Sequence, residues 1–244
     1  MSYLIWTAEE LSSKTICNKS GVCWRAVEAQ HVISTSKLVD NNEEQKILEE
    51  VIENTKPSYP VEFENYDFLL FTPFRYKPTV KGSRFRKANQ KEGVFYAAEK
   101  PQTAIAELSF WRLLFFQESP DTKPPENPQQ LRVFSIKYDS YRAIDLTQPP
   151  LNEFESEWMN RKDYSSCQWL ADEARKAKIE LIRSFSARCP NKGKNISILS
   201  EKAFYSKTPE PLMQTWQLII KTEEVTAICD FPRETIVFPK AIFF

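Results

Sequence analysis

The chain has 244 residues, 41% of them hydrophobic and 13% aromatic, enough to build a sizeable core beneath a 27% charged surface. Lys+Arg and Asp+Glu both number 33, so net charge gives no general attraction to nucleic acid or membranes. Four glycines against sixteen prolines, without the Rossmann or P-loop glycine signatures, disfavour both classes of nucleotide enzyme. No apolar run approaches the roughly 18 residues of a membrane span. The opening MSYLIWTAEE lacks the basic and apolar regions of a secretory signal. Five irregularly spaced cysteines read as reduced thiols, so a cytoplasmic protein without direct nucleic-acid or membrane partners is expected.

Residues 1–60 read as a lead-in. Val22 to Val27 is a candidate strand with Arg25 as its only charge, and Ile47, Leu48, Val51 and Ile52 mark a helix after a cap at Asp40, Asn41 or Asn42. The short apolar run Asp67 to Thr72 predicts a buried strand stopped by Pro73. Residues 61–200 carry the motifs. Gly93 to Ala98 predicts a short strand, and Pro101 suits the first turn of a helix. In that helix Ala104, Leu108, Trp111 and Phe115 share one face, while Phe110, Leu113 and Leu114 cover much of the rest. A helix apolar nearly all round is expected to be buried. Glu107 within it needs a partner, because an unpaired carboxylate in poor solvent costs several kcal/mol. An ion pair with Arg84, Arg86 or Arg112 and a catalytic carboxylate are the two readings.

A proline-rich loop, Ser119 to Gln130, leads to predicted strands at 131–138 and 143–146, then a helix from Ser165 or Ser166 to Ala177. Asn195 to Leu199 is a further strand, and residues 201–244 add strands at 216–220, 225–229 and 235–238. Short strands with interspersed helices predict a single α+β domain over 1–244. His31 is the only histidine, so a Ser-His-Asp triad or a histidine metal site would hang on one residue, and no metal is expected. The remaining chemistry is that of Arg, Tyr, Glu and Ser.

Three blocks in order resemble the RES domain family: Ser83-Arg84-Phe85-Arg86, then Gly93 to Ala98 followed by Thr103 to Glu107, then Ser184 to Arg188 with Gly193 and Asn195 before a strand. The resemblance covers roughly residues 22–200. It implies a fold like that of diphtheria-toxin-type ADP-ribosyltransferases, a twisted, split β core with helices around it. It also implies cleavage of the nicotinamide–ribose bond of NAD by phosphorolysis or hydrolysis, as a toxin neutralised by an Xre-type helix-turn-helix antitoxin. NAD is then the substrate, and inorganic phosphate a candidate acceptor.

The residue chemistry accommodates this reading. Nicotinamide leaves as a neutral ring and needs no general acid, whereas the ribosyl cation needs a carboxylate, for which Glu107 is the candidate. Tyr96 is placed to lie on the nicotinamide or ribose. Arg84 and Arg86 compete for the pyrophosphate, which suits a guanidinium fork; the Ser-Arg-Phe block favours Arg84. The family pattern makes Ser186 a ribose ligand or a participant in catalysis, although no base is visible to make it a nucleophile. Arg25 and Arg188 face either the phosphates or surface carboxylates. Two other functions share this site: a protein mono-ADP-ribosyltransferase using NAD, and a non-catalytic binding module on the same fold.

Overall fold

The computed structural model describes residues 6–29, 35, 38–76 and 81–244, so His31 lies outside the described residues. Helix α1 (Ala8–Lys14) opens with a capping box in which Thr7 and Glu10 satisfy each other's backbone N–H groups. β1 (Cys17–Glu28) follows, then α2 (Asn42–Thr55), capped by the Asn41 side chain, and α3 (Phe68–Arg75). β2 (Phe95–Ala98) runs into α4 (Pro101–Glu118), with Pro101 in its first turn. β3 (Gln129–Asp145), α5 (Ser165–Lys176), β4 (Leu181–Phe185) and β5 (Lys194–Ile198) come next. The antiparallel run β6 (Met213–Ile220), β7 (Glu224–Cys229) and β8 (Glu234–Pro239) completes the sheet.

The eight strands pair in the order β1-β2-β5-β4-β3-β6-β7-β8, with a further β1–β3 pairing. That extra pairing closes five strands into a ring. β3 makes this possible by its length: its N-terminal part pairs with β6 (Gln129 to Phe134), its last residues run parallel to β4 (Ala143 to Asp145), and β1 lies along nearly all of it. The β1–β2 closure is a single pair, Trp24 and Ala98. Helix α4 packs across β1, β2 and β7.

Three apolar clusters hold these parts. One joins Phe63, Leu70 and Phe74 to Phe95, Phe134 and Phe204. A second seats α1 and α5 through Leu11, Trp158, Leu170 and Ile182. The third buries Ile105, Phe110 and Leu113 of α4 against Trp216, Leu218 and Phe238 of the β6–β8 run. Trp216 is wholly buried, so truncating it would cost about 3–5 kcal/mol.

The mixed α+β class matches the sequence reading, with four differences. Residues 67–72 are not a strand: the Asp67 side chain caps α3 by accepting from the Leu69 N–H, and Phe74 stacks on Phe63 at 4.4 Å. The two strands expected at 131–138 and 143–146 are one continuous β3. The expected lead-in contains α1, whose Leu11 is fully buried, and β1, which closes the ring. Helix α4 is not buried all round: its core face is Thr103, Ala106, Phe110 and Leu113, whereas Trp111 and Phe115 are 43% and 49% exposed.

Candidate active site

A cavity of about 550 Å³ opens between α4, the β2–β5 floor and the turn at Ser83–Arg86, a volume suited to a small-molecule ligand. Among the described residues its lining includes four arginines, Arg25, Arg84, Arg112 and Arg188, and a single carboxylate, Glu107. The balance favours an anionic ligand.

Helix α4 carries Glu107 to this cavity, and the partners waiting there are not arginines. Ser186 Oγ donates to Glu107 Oε1 at 2.5 Å and Asn195 Nδ2 donates to the same oxygen at 2.7 Å. Glu107 Oε2 has no hydrogen bond among the described residues. Of the two readings of Glu107, the core ion pair is absent among the described residues: Arg112 is bridged to Glu28 instead, and Arg84 and Arg86 are bonded elsewhere.

Ser186 sits in the turn after β4, and its oxygen accepts from the N–H groups of Arg188 (3.2 Å) and Cys189 (2.9 Å). Its own N–H donates to the Gly193 carbonyl at 2.6 Å. With two donors on its oxygen and its proton directed to Glu107, Ser186 is built to hold the carboxylate. Gly193 must be glycine here, because a Cβ would collide with the Thr103 side chain on α4. That close approach seats the serine turn against the helix that carries Glu107.

The arginines differ in how their donors are used, and a guanidinium has five. Arg84 Nη1 donates to the Phe185 carbonyl (2.6 Å) and Nη2 to the Trp158 carbonyl (2.5 Å). Arg84 thus ties its turn to the residue preceding Ser186. Arg188 is buried over the Phe110 ring at 3.5 Å and bonds the Phe243 and Arg161 carbonyls and the Tyr164 hydroxyl. Arg86 is buried but does not line the cavity; its Nη2 donates to the carbonyls of Tyr76, Gln90 and Lys91. Arg25 makes one hydrogen bond, Nη1 to the Tyr96 carbonyl at 3.0 Å, and lies 4.7 Å over the Phe95 ring. Its Nε is buried without a partner, and no carboxylate pairs with it among the described residues. Burial pulls the Arg25 guanidinium down to about 10, still charged at neutral pH.

Tyr96 lines the cavity, but its hydroxyl turns toward the arginine loop. It lies 2.8 Å from Ser83 Oγ and accepts from the Phe85 N–H at 3.0 Å. Burial raises its pKa, and the hydrogen bonds from Ser83 and Phe85 offset part of that rise. Tyr96, Ser83, Arg84, Phe185, Ser186 and Glu107 thus form one connected chain of contacts.

The family described as RES domain matches residues 59–221, more than half of the chain. The chain belongs to the RES domain family. Among solved structures it is similar to one titled "Crystal structure of the M. tuberculosis MbcT-MbcA toxin-antitoxin complex", with a TM-score of 0.50 and 12% identity. That alignment covers 97% of this chain and 93% of the other, and at this identity it is a likeness of fold. No curated protein matches the chain.

The fold brings Arg84 and Glu107 to one cavity, together with Tyr96 and Arg25, while Ser186 lies buried behind it and reaches it through its hydrogen bond to Glu107. The fold leaves Arg86 behind the turn. Asn195, which bonds Glu107, is a cavity residue that the sequence reading did not place at the site, although it belongs to the third block. A signal was present: in Asn195-Ile196-Ser197-Ile198 the polar residues alternate with isoleucines, as on a strand with one polar face. Among the described residues, no group of His, Cys, Asp and Glu is arranged to hold a metal, and no helix is long and apolar enough to cross a membrane.

Proposed function

We propose that this RES protein is a toxin that cleaves the bond between nicotinamide and ribose in NAD, passing the ADP-ribosyl group to phosphate or water. The observation that carries the reading is the Glu107 carboxylate, fixed through one oxygen by Ser186 and Asn195 in a cavity whose other charged lining residues are arginines. As the C1′–N bond breaks, its electron pair goes to the nicotinamide nitrogen, cancelling that ring's positive charge. The positive charge left on the ribose faces Glu107, whose preorganised carboxylate stabilises it. Water or phosphate then bonds C1′, and a water proton lost in that step can pass to the unbonded Oε2.

Arg25, which makes a single hydrogen bond and pairs with no carboxylate among the described residues, is the arginine we propose for the pyrophosphate, with Arg84 and Tyr96 as positioning residues that brace the Ser186 turn. Because Arg25 lies on β1, outside the matched 59–221, the unit we propose is the whole chain 1–244. The reading extends to a cytoplasmic protein whose sheet is related to that of diphtheria-toxin-type ADP-ribosyltransferases. It also includes an Xre-type antitoxin partner, by analogy with the complex named in the MbcT structure.

The test is incubation of the purified chain with NAD alone, with and without inorganic phosphate, following nicotinamide and the ADP-ribosyl product. Nicotinamide release without any acceptor protein is expected, and the product identifies phosphorolysis or hydrolysis. Release that appears only when a target protein is added would replace this reading with protein ADP-ribosylation. Intact NAD under every condition would overturn both.

A further inference from the structure

We infer that Trp111 is the surface on which the adenine ring of the dinucleotide stacks, a specificity-determining residue of the cavity; the inference rests on the NAD reading above. Trp111 lies one helical turn beyond Glu107 on α4, about 6 Å along the helix axis. Among the described residues it is the only exposed one in the cavity's lining, at 43%, while the small lining residues Ala97, Ala98, Ala187 and Ser197 are buried.

The chemistry orients the ligand along this gradient. The reacting C1′ must sit at Glu107, and Glu107 is tethered to Ser186 and Asn195. The flat nicotinamide ring suits these small, buried side chains. The pyrophosphate and adenosine then extend past the arginines toward the exposed indole. The one aromatic neighbour of Trp111 among the described residues is Phe110, edge-on at 5.3 Å and 67°, so no ring stacks on the indole face. What sets this indole apart from other exposed aromatics such as Trp169 is its place in the cavity lining, where a purine offers a matching flat surface. Phe115 is as exposed as Trp111 but does not line the cavity, which makes it the natural control.

The experiment is calorimetry of ADP-ribose, which lacks nicotinamide and cannot react, on the wild type, Trp111→Ala, Trp111→Phe and Phe115→Ala, with steady-state NAD kinetics alongside. Loss of one base–aromatic stack should weaken ADP-ribose binding about 5- to 150-fold in Trp111→Ala. KM for NAD should rise by a similar factor with kcat within about twofold, since adenine contacts are the same in ground and transition states. Trp111→Phe should retain part of the affinity and Phe115→Ala all of it. Unchanged ADP-ribose affinity in a folded Trp111→Ala protein would overturn the inference, as would a loss confined to kcat. An equal loss in Phe115→Ala would also overturn it and point to a protein-facing patch. ADP-ribose binding that depends on Trp111 in a chain that never consumes NAD would sink the catalytic reading alone.

Discussion

At the scale of the residue, the arrangement around Glu107 separates its charge from its hydrogen bonds. Both bonds reach Oε1 as acceptor, so a glutamine placed with its carbonyl at that position can still receive Ser186 and Asn195. Glu107→Gln is therefore expected to melt within a few degrees of the wild type and to bind ADP-ribose. It should release nicotinamide at least about 100-fold more slowly, the usual loss for one preorganised charge-stabilising group. Near-normal turnover in the folded variant would remove Glu107 from the chemistry. The arginines make a second contrast. Arg25→Gln should raise KM for NAD by about tenfold or more, the worth of a charged hydrogen bond, with little change in stability. Arg84→Lys can reach only one of the two carbonyls that Arg84 joins, so it should lower the melting temperature and kcat while leaving ADP-ribose affinity nearly intact. If Arg84→Lys loses ADP-ribose while Arg25→Gln keeps it, the two roles are exchanged.

At the scale of the element, the strand ring is fastened by charge at one point. Asp145 at the end of β3 accepts from Lys19 of β1 (2.8 Å) and Arg183 of β4 (2.9 Å), and Arg183 also meets Glu99 just after β2 (2.6 Å). Burial alone would raise the Asp145 pKa, but hydrogen bonds from Lys19 and Thr147 and the Arg183 charge outweigh it and lower the net value. A depressed carboxylate stabilises the fold fully above its unfolded pKa of about 3.9, and that contribution is lost as pH falls through the lower folded value. Asp145→Asn should therefore cost about 3 kcal/mol at pH 7. The gap from wild type should stay constant down to about pH 5 and narrow below about pH 4. Denaturant titrations across that range check it, and a gap that widens in acid would contradict it.

How far such elements are legible in the sequence depends on what sets them. Pro101, the apolar run of α4 and the alternation in β5 are local signals, and those elements are recovered, while the alternation in β3 is read as two strands where there is one. The residues 67–72 are too few to show a period, and their helix is decided by a side-chain cap and by aromatic packing on Phe63 and Phe204. The exposed side of α4 is illegible for a different reason. Trp111 faces a cavity, and a lining looks the same as a core in hydrophobicity alone. Glu107, Ser186 and Arg84 are found through their blocks, yet their mutual contacts span 79 positions or more and no spacing rule encodes them.

At the scale of the whole molecule, the boundary of the family match and the boundary of the folded unit differ. A fragment of residues 59–221 would lack β1, leave the long edge of β3 unpaired, and lose Arg25 from the cavity. Such an uncovered strand edge favours aggregation. The fragment is expected to be insoluble or molten and unable to bind ADP-ribose by calorimetry. A soluble fragment with wild-type affinity would show β1 to be dispensable.

The closed ring also sets a timetable on the ribosome. β1 is made early, but its partner β3 is roughly 100 residues behind, about 5–20 s of elongation at 5–20 residues per second. Ser186 and Asn195, the two groups that fix Glu107, leave the ribosome later still. A nascent chain therefore carries Glu107 for some time before anything orients it. On the function proposed above, the chain gains its activity only when the last ring strands arrive, and a partner that recognises the assembled cavity would act on the finished protein.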